Sequence, residues 1–96
     1  DFTQGTIAST CSRNVDAGFS IVSYSGNDTV AGTIGHGLSS IPEMIIVKRR
    51  SAVDPWQVLH HGIASDYETD TIVLQGTAGA YDLATIWNDT KPTATL

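Results

Sequence analysis

Four consecutive apolar residues, Met44-Ile45-Ile46-Val47, stand between Ile41-Pro42-Glu43 and the basic cluster Lys48-Arg49-Arg50. A run this short cannot make an amphipathic helix, which needs about ten residues or more with apolar positions every third or fourth place. Bounded by a proline and by charge, it fits one strand covered on both faces. Weaker versions of the pattern recur on either side. Residues 18–24 place Phe19 and Ile21 on one side of an extended chain and Val22 and Tyr24 on the other, all of them β-favouring types. Trp56-Gln57-Val58-Leu59-His60 alternates so that Trp56, Val58 and His60 share a face, and Thr71-Ile72-Val73-Leu74 is a second buried-type run.

Turn chemistry separates these segments. Ser25-Gly26-Asn27-Asp28 precedes an expected strand at about Thr29 to Ile34. The glycine-punctuated stretch Gly35 to Pro42, then Asp54-Pro55, then Gly76-Thr77-Ala78-Gly79-Ala80 supply the other breaks. Short strands at such spacing predict an all-β chain, an antiparallel β-sandwich of jelly-roll or concanavalin-like type. One short helix is expected near 80–87, where Leu83, Ile86 and Trp87 are spaced for one helical face, although Thr85-Ile86-Trp87 would also serve as a strand. Residues 1–16, rich in Thr, Ser, Asn and Gly, read as an arm or loop, and 17–96 as a single β domain. The expected core is Phe19, Ile21, Met44, Ile46, Trp56, Val58, Ile72 and Leu74, so that truncating Ile46 to Ala should cost about 2–5 kcal/mol.

Size and charge narrow the function. At 96 residues with 16% charged side chains and a net charge of −5, the chain repels phosphate backbones, and the three-residue basic cluster reads as a solvated strand end; no nucleic-acid partner is expected. Cys11 has no second cysteine to pair with. No apolar stretch approaches the roughly 20 residues of a membrane helix, so no membrane insertion is expected. The chain begins at Asp1-Phe2-Thr3 without Met and stops at Thr95-Leu96, which leads us to expect a segment of a longer polypeptide.

Reactive chemistry finds little support in these residues. His36, His60 and His61, with Asp66 or Glu68, invite a metal reading, but neighbouring strand residues point to opposite faces, which keeps His60 and His61 from one ion; no metal is expected. A nucleophilic site would need a base beside Ser or Cys, and there is no G-x-S-x-G elbow, while Cys11 has only Arg13 nearby to favour thiolate. Asp66 and Glu68 could share a strand face as a carboxylate pair, yet read better as a solvated acidic loop. Glycines 32, 35 and 37 lack the order of a phosphate loop, so no cofactor is expected and the chain reads as a non-enzyme. Asn27-Asp28-Thr29 and Asn88-Asp89-Thr90 match a glycosylation pattern short enough to arise by chance. The aromatics Trp56, Trp87, Tyr24 and Tyr67, with Tyr81, could stack on sugar rings, although Trp56 and Trp87 also fit a core.

The order of Ala17-Gly18-Phe19-Ser20-Ile21-Val22-Ser23-Tyr24-Ser25-Gly26-Asn27, Ile34-Gly35-His36-Gly37-Leu38, Pro42-Glu43-Met44-Ile45-Ile46-Val47-Lys48 and Ile86-Trp87-Asn88-Asp89-Thr90-Lys91-Pro92-Thr93 resembles a domain of marine bacteriophage tail-fibre and other virion structural proteins. The likeness runs over about residues 5 to 94. It implies a β-rich, non-catalytic unit of a long virion chain, located in the extracellular particle. It further implies self-association as a homotrimer and contact with other virion proteins. The alternative expectation, carried by the aromatic residues, is a lectin-like module that binds a host surface glycan.

Overall fold

The computed structural model describes residues 4–28, 31–74, 76, 77, 79–82, 87, 90–93 and 95. The chain is mostly strand with almost no helix. Among the described residues six strands, β1 (Ser9–Asn14), β2 (Phe19–Tyr24), β3 (Met44–Val47), β4 (Gln57–His60), β5 (Asp70–Val73) and β6 (Tyr81–Asp82), form two antiparallel sheets, and a 3-10 turn, Tyr67–Thr69, precedes β5. The chain divides into two compact units, Asp1–Pro42 with Pro92–Leu96, and Glu43–Lys91.

In the first unit β1 and β2 make a hairpin in register from Ser9 opposite Tyr24 to Asn14 opposite Phe19. Its turn is closed by two local bonds: Asn14 Oδ1 accepts from the Ala17 amide at 3.0 Å, and the Val15 carbonyl accepts from Gly18 at 3.1 Å. This is the Asx chemistry that makes Asn a turn former. One face of the hairpin carries Cys11, Ser20 and the half-buried Val22, and the segment Gly35–Leu38 lies on it. Gly37 sits so close that a Cβ would stand 2.8 Å from both Cys11 Sγ and Arg13 Cδ, and its φ of +75° is one that other residues rarely adopt. Two constraints of different origin therefore demand glycine there. Arg13 Nη1 completes the contact by donating to the Gly37 carbonyl at 3.0 Å.

A second clamp holds the start of the chain. Thr6 and Ile7 donate their amides to the Thr33 carbonyl at 3.0 and 2.9 Å, and Thr33 returns its own amide to Thr6 Oγ1 at 2.9 Å. Beside it, Gly5 bridges Ile34, where a Cβ on Gly5 would meet the Thr33 carbonyl oxygen at 2.6 Å.

The second unit is a four-stranded sheet in the order β3-β4-β5-β6. Met44 lies opposite His60, Ile46 opposite Val58, Val58 opposite Ile72, and Gln57 opposite both Val47 and Val73. Partners in register share a face, so one face carries Met44, Ile46, Val58 and Ile72, and the other Ile45, Leu59 and Thr71. Leu59 is 1% exposed and Thr71 is fully buried. The Thr71 hydroxyl donates to Gln57 Oε1 at 2.8 Å, with the Val58 carbonyl 3.4 Å away, so the buried polar group is satisfied within the sheet.

Several expectations are corrected here. Residues 9–14, read as part of an arm, form a strand, because alternating small residues suffice when the partner strand and a glycine loop supply the packing. The strand expected at 29–34 is reduced, among its described residues, to the one bridge at Ile34. Of the eight expected core residues, only Val58 is buried: Phe19 and Ile21 are each 62% exposed, Met44, Ile46, Trp56 and Leu74 are exposed, and Ile72 is half-buried. The physical reason is register. A run of four apolar residues has no polar neighbour to mark which parity faces inward, and a one-residue choice exchanges the two faces entirely. Half of the helix expected near 80–87, residues 83–86, lies outside the described residues; Tyr81–Asp82 pairs with β5 as a strand, and Trp87 has helical backbone.

The inner-face assignment predicts that Leu59→Ala loses about 2–5 kcal/mol of stability, while Ile46→Ala, at a position 45% exposed, loses about 1 kcal/mol. Urea denaturation of the two variants measures the difference, and equal losses would contradict the assignment.

Candidate functional site

The residues singled out for chemistry are used locally. His36 Nδ1 accepts from the Leu38 amide at 3.0 Å, which leaves Nε2 to carry the ring proton and donate to the Thr93 carbonyl at 3.0 Å. His60 repeats the first half of this arrangement, its Nδ1 accepting from the Gly62 amide at 2.9 Å. Both imidazoles thus cap a turn two residues ahead. The expectation that His60 and His61 diverge is overturned: their rings stack at 4.9 Å between centroids, because His61 leaves the strand and enters the turn. The Glu43 carboxylate stands 4.0 Å from His61 Nε2. Among the described residues no three ligating side chains converge on a point that could hold a metal ion.

Asp66 and Glu68 serve different neighbours. The Asp66 carbonyl accepts from the amide and hydroxyl of Thr69, closing the 3-10 turn. Glu68 Oε2 lies 3.5 Å from Lys91 Nζ, an ion pair without hydrogen-bond geometry, since the ammonium makes its shorter bond, 3.1 Å, to the Ser65 carbonyl. Cys11 Sγ rests 3.3 Å from Ser20 Oγ under the Gly37 loop, and 3.7 Å from the His36 carbonyl oxygen. The basic cluster folds back on its own hairpin: Lys48 Nζ donates to the carbonyls of Asp54 at 2.7 Å and Arg49 at 3.0 Å, and Arg49 Nη1 pairs with Asp54 Oδ2 at 3.2 Å.

The four aromatics expected to stack on sugars have distinct surroundings. Tyr24 is exposed and borders a shallow recess of about 250 Å³ with Ala8, Ser9, Thr10, Ser23 and Ser25. That is below the size of ordinary ligand pockets, but it is rich in hydroxyls. Tyr67 has the Lys91 ammonium 5.0 Å from its ring centroid, so one face of the ring is already taken by a cation–π contact. Trp56 is exposed on the sheet of the second unit. Trp87 is half-buried, and its indole Nε1 is buried without an acceptor among the described residues. Tyr24 belongs to the first unit and the other three to the second.

What sequence reasoning missed is a surface rather than a cleft. Leu74 donates its amide to the Trp56 carbonyl at 3.0 Å, which extends the β4-β5 register by one step and sets the two side chains side by side. They join Met44 and Ile46 on the outer face of the sheet, Met44 being 57% and Leu74 58% exposed. Val58, flanked by Ile46 and Ile72 at the middle of this face, is shielded by its neighbours. Strict use of the register could have shown that these residues share a face, but not that the face is outward.

A family model described as "Domain of unknown function (DUF7483)" matches residues 1–96. The chain belongs to the DUF7483 family. No curated protein and no solved structure matches it. For this DUF7483 domain, then, the reading of function rests on the chain's own residues. No helix among the described residues is long and apolar enough to cross a membrane.

Proposed function

We propose that this DUF7483 domain is a non-catalytic structural module of a bacteriophage virion, a tail fibre or related particle protein, that mediates assembly and surface display. In this reading its fold is completed as an antiparallel β-sandwich, it self-associates and meets other virion proteins, and it resides in the extracellular particle. The observation that carries the reading is the outer sheet face with exposed Met44, Ile46, Trp56 and Leu74. Contiguous apolar surface of this kind marks interaction sites. Support also comes from the motif order that resembles virion fibre domains, and from the local structural use of Cys11, His36, His60, Asp66 and Glu68. The outer edge of β3 has no strand paired to it among the described residues, and such edges recruit neighbours.

Gold-labelled antibody against this chain, applied to purified particles of a phage that encodes it, is expected to decorate the particle. Label confined to the soluble fraction of the lysate would contradict the proposal.

One observation favours a second reading, a lectin-like module for host surface glycans: the exposed Tyr24 ring stands among Ser9, Thr10, Ser23 and Ser25. Aromatic stacking combined with hydroxyl partners is the chemistry of sugar recognition. A glycan array should then give signals that Tyr24→Ala abolishes. Silence on every glycan, with folding intact, would remove this reading.

A further inference from the structure

The outer face of the second unit's sheet is asymmetric in charge as well as apolar. At one end, the hairpin between β3 and β4 holds Lys48, Arg49 and Arg50 against the single carboxylate of Asp54. At the other end, Glu43 precedes β3, Asp70 opens β5, Asp66 precedes the turn before it and Glu68 lies within that turn, with Lys91 the one Lys or Arg beside them among the described residues. The antiparallel register fixes this separation: Glu43 and His61 are joined by a 3.0 Å backbone bond, and Met44 faces His60 at the acidic end, while Val47 faces Gln57 and Leu74 meets Trp56 at the basic end. Between the two ends lie Met44, Ile46, Val58, Ile72, Trp56 and Leu74.

We infer that this face docks a second copy of the same chain, stacked face to face with its strands reversed, so that the basic end of each copy covers the acidic end of the other. The charge pattern selects this occupant. A surface with a positive end, an apolar centre and a negative end is complementary to itself after a half turn about an axis across the strands, which is what an isologous contact requires. Reversal about an axis along the strands would bring like charges together at both ends, so only one orientation is favourable. The net charge of −5 on each copy opposes association at long range, but salt near physiological strength screens it beyond about 8 Å. The exposed apolar centre consists of four part-exposed side chains, Met44, Ile46, Trp56 and Leu74, which fall short of the roughly 800 Å² that each partner gives to a standard interface. The pairing is therefore concentration-dependent, with the charged ends supplying the remaining contact.

This inference names the partner and surface of the assembly reading, with a two-fold pair in place of the homotrimer that the resemblance implies, and it rests on that reading only for its biological setting. Sedimentation equilibrium of the full chain over a range of concentrations is the test. A mass rising to twice the monomer is expected, with Ile46→Glu remaining monomeric while its circular dichroism matches the parent. Should Ile46→Glu unfold, the exposed charges give a second route: Arg50→Glu alone and Glu43→Lys alone should each weaken pairing by tenfold or more, and the two combined in one chain should restore it. A monomer at all concentrations, a dimer indifferent to Ile46→Glu, or a double variant no better than the single ones would overturn the inference. Particle labelling together with a monomeric chain would leave the virion reading in place and remove this surface as its self-docking site.

Discussion

The second unit is organised around the two residues most completely enclosed, which lie on one face of its sheet. Leu59 is enclosed, and Thr71, on the next strand and the same face, is enclosed with it. A threonine can occupy such a position because its methyl group packs like that of valine while its hydroxyl finds Gln57 Oε1 within the same face. Once these two residues are inside, the pleat sends Ile46, Val58 and Ile72 to the opposite surface. β4 is flanked by β3 and β5, so its register passes that choice to both neighbours. The exposed apolar face follows directly from the placement of Leu59.

The first unit solves a different problem with little apolar material. The covered face of its hairpin offers mainly Ser, Cys and Arg with Val22, and the cover comes from backbone: Gly35 and Gly37 are buried, and Gly37 lies close because it lacks a side chain. The capacity of Arg13 to reach the Gly37 carbonyl, and of His36 to reach Thr93 and Leu38, replaces hydrophobic area with directional bonds. Such bonds contribute on the order of 1 kcal/mol each, so the unit depends on several of them acting together. The His36 ring is a turn-closing group of this kind, as is that of His60 in the second unit.

Strand existence was legible in the sequence where apolar runs were short and bounded. Met44 to Val47 stands where Pro42 and Lys48 implied, and Phe19–Tyr24, Gln57–His60 and Asp70–Val73 each fall within one residue of the expected bounds. Strand β1 was not legible, because Ser9–Asn14 contains no large apolar residue and its pairing is determined by the partner. Facing was not legible either: Ile45-Ile46 and Val58-Leu59 present the same character to both sides, and the deciding residue, Thr71, is of a type usually found outside. The candidate site shows the same division. Stacking of His60 on His61 needed a turn that begins one residue earlier than the alternation implied, whereas the closing of a turn by the Asp66 carbonyl and the packing of Cys11 under the Gly37 loop depend on backbone geometry that no residue type announces.

Amide hydrogen exchange read residue by residue tests the account most directly, since slow exchange reports strands flanked on both sides. The account places the slowest amides of the second unit at Val58 and Leu59 in β4, with the 48–55 hairpin exchanging fastest. Exchange at Val58 and Leu59 as rapid as in that hairpin would contradict it.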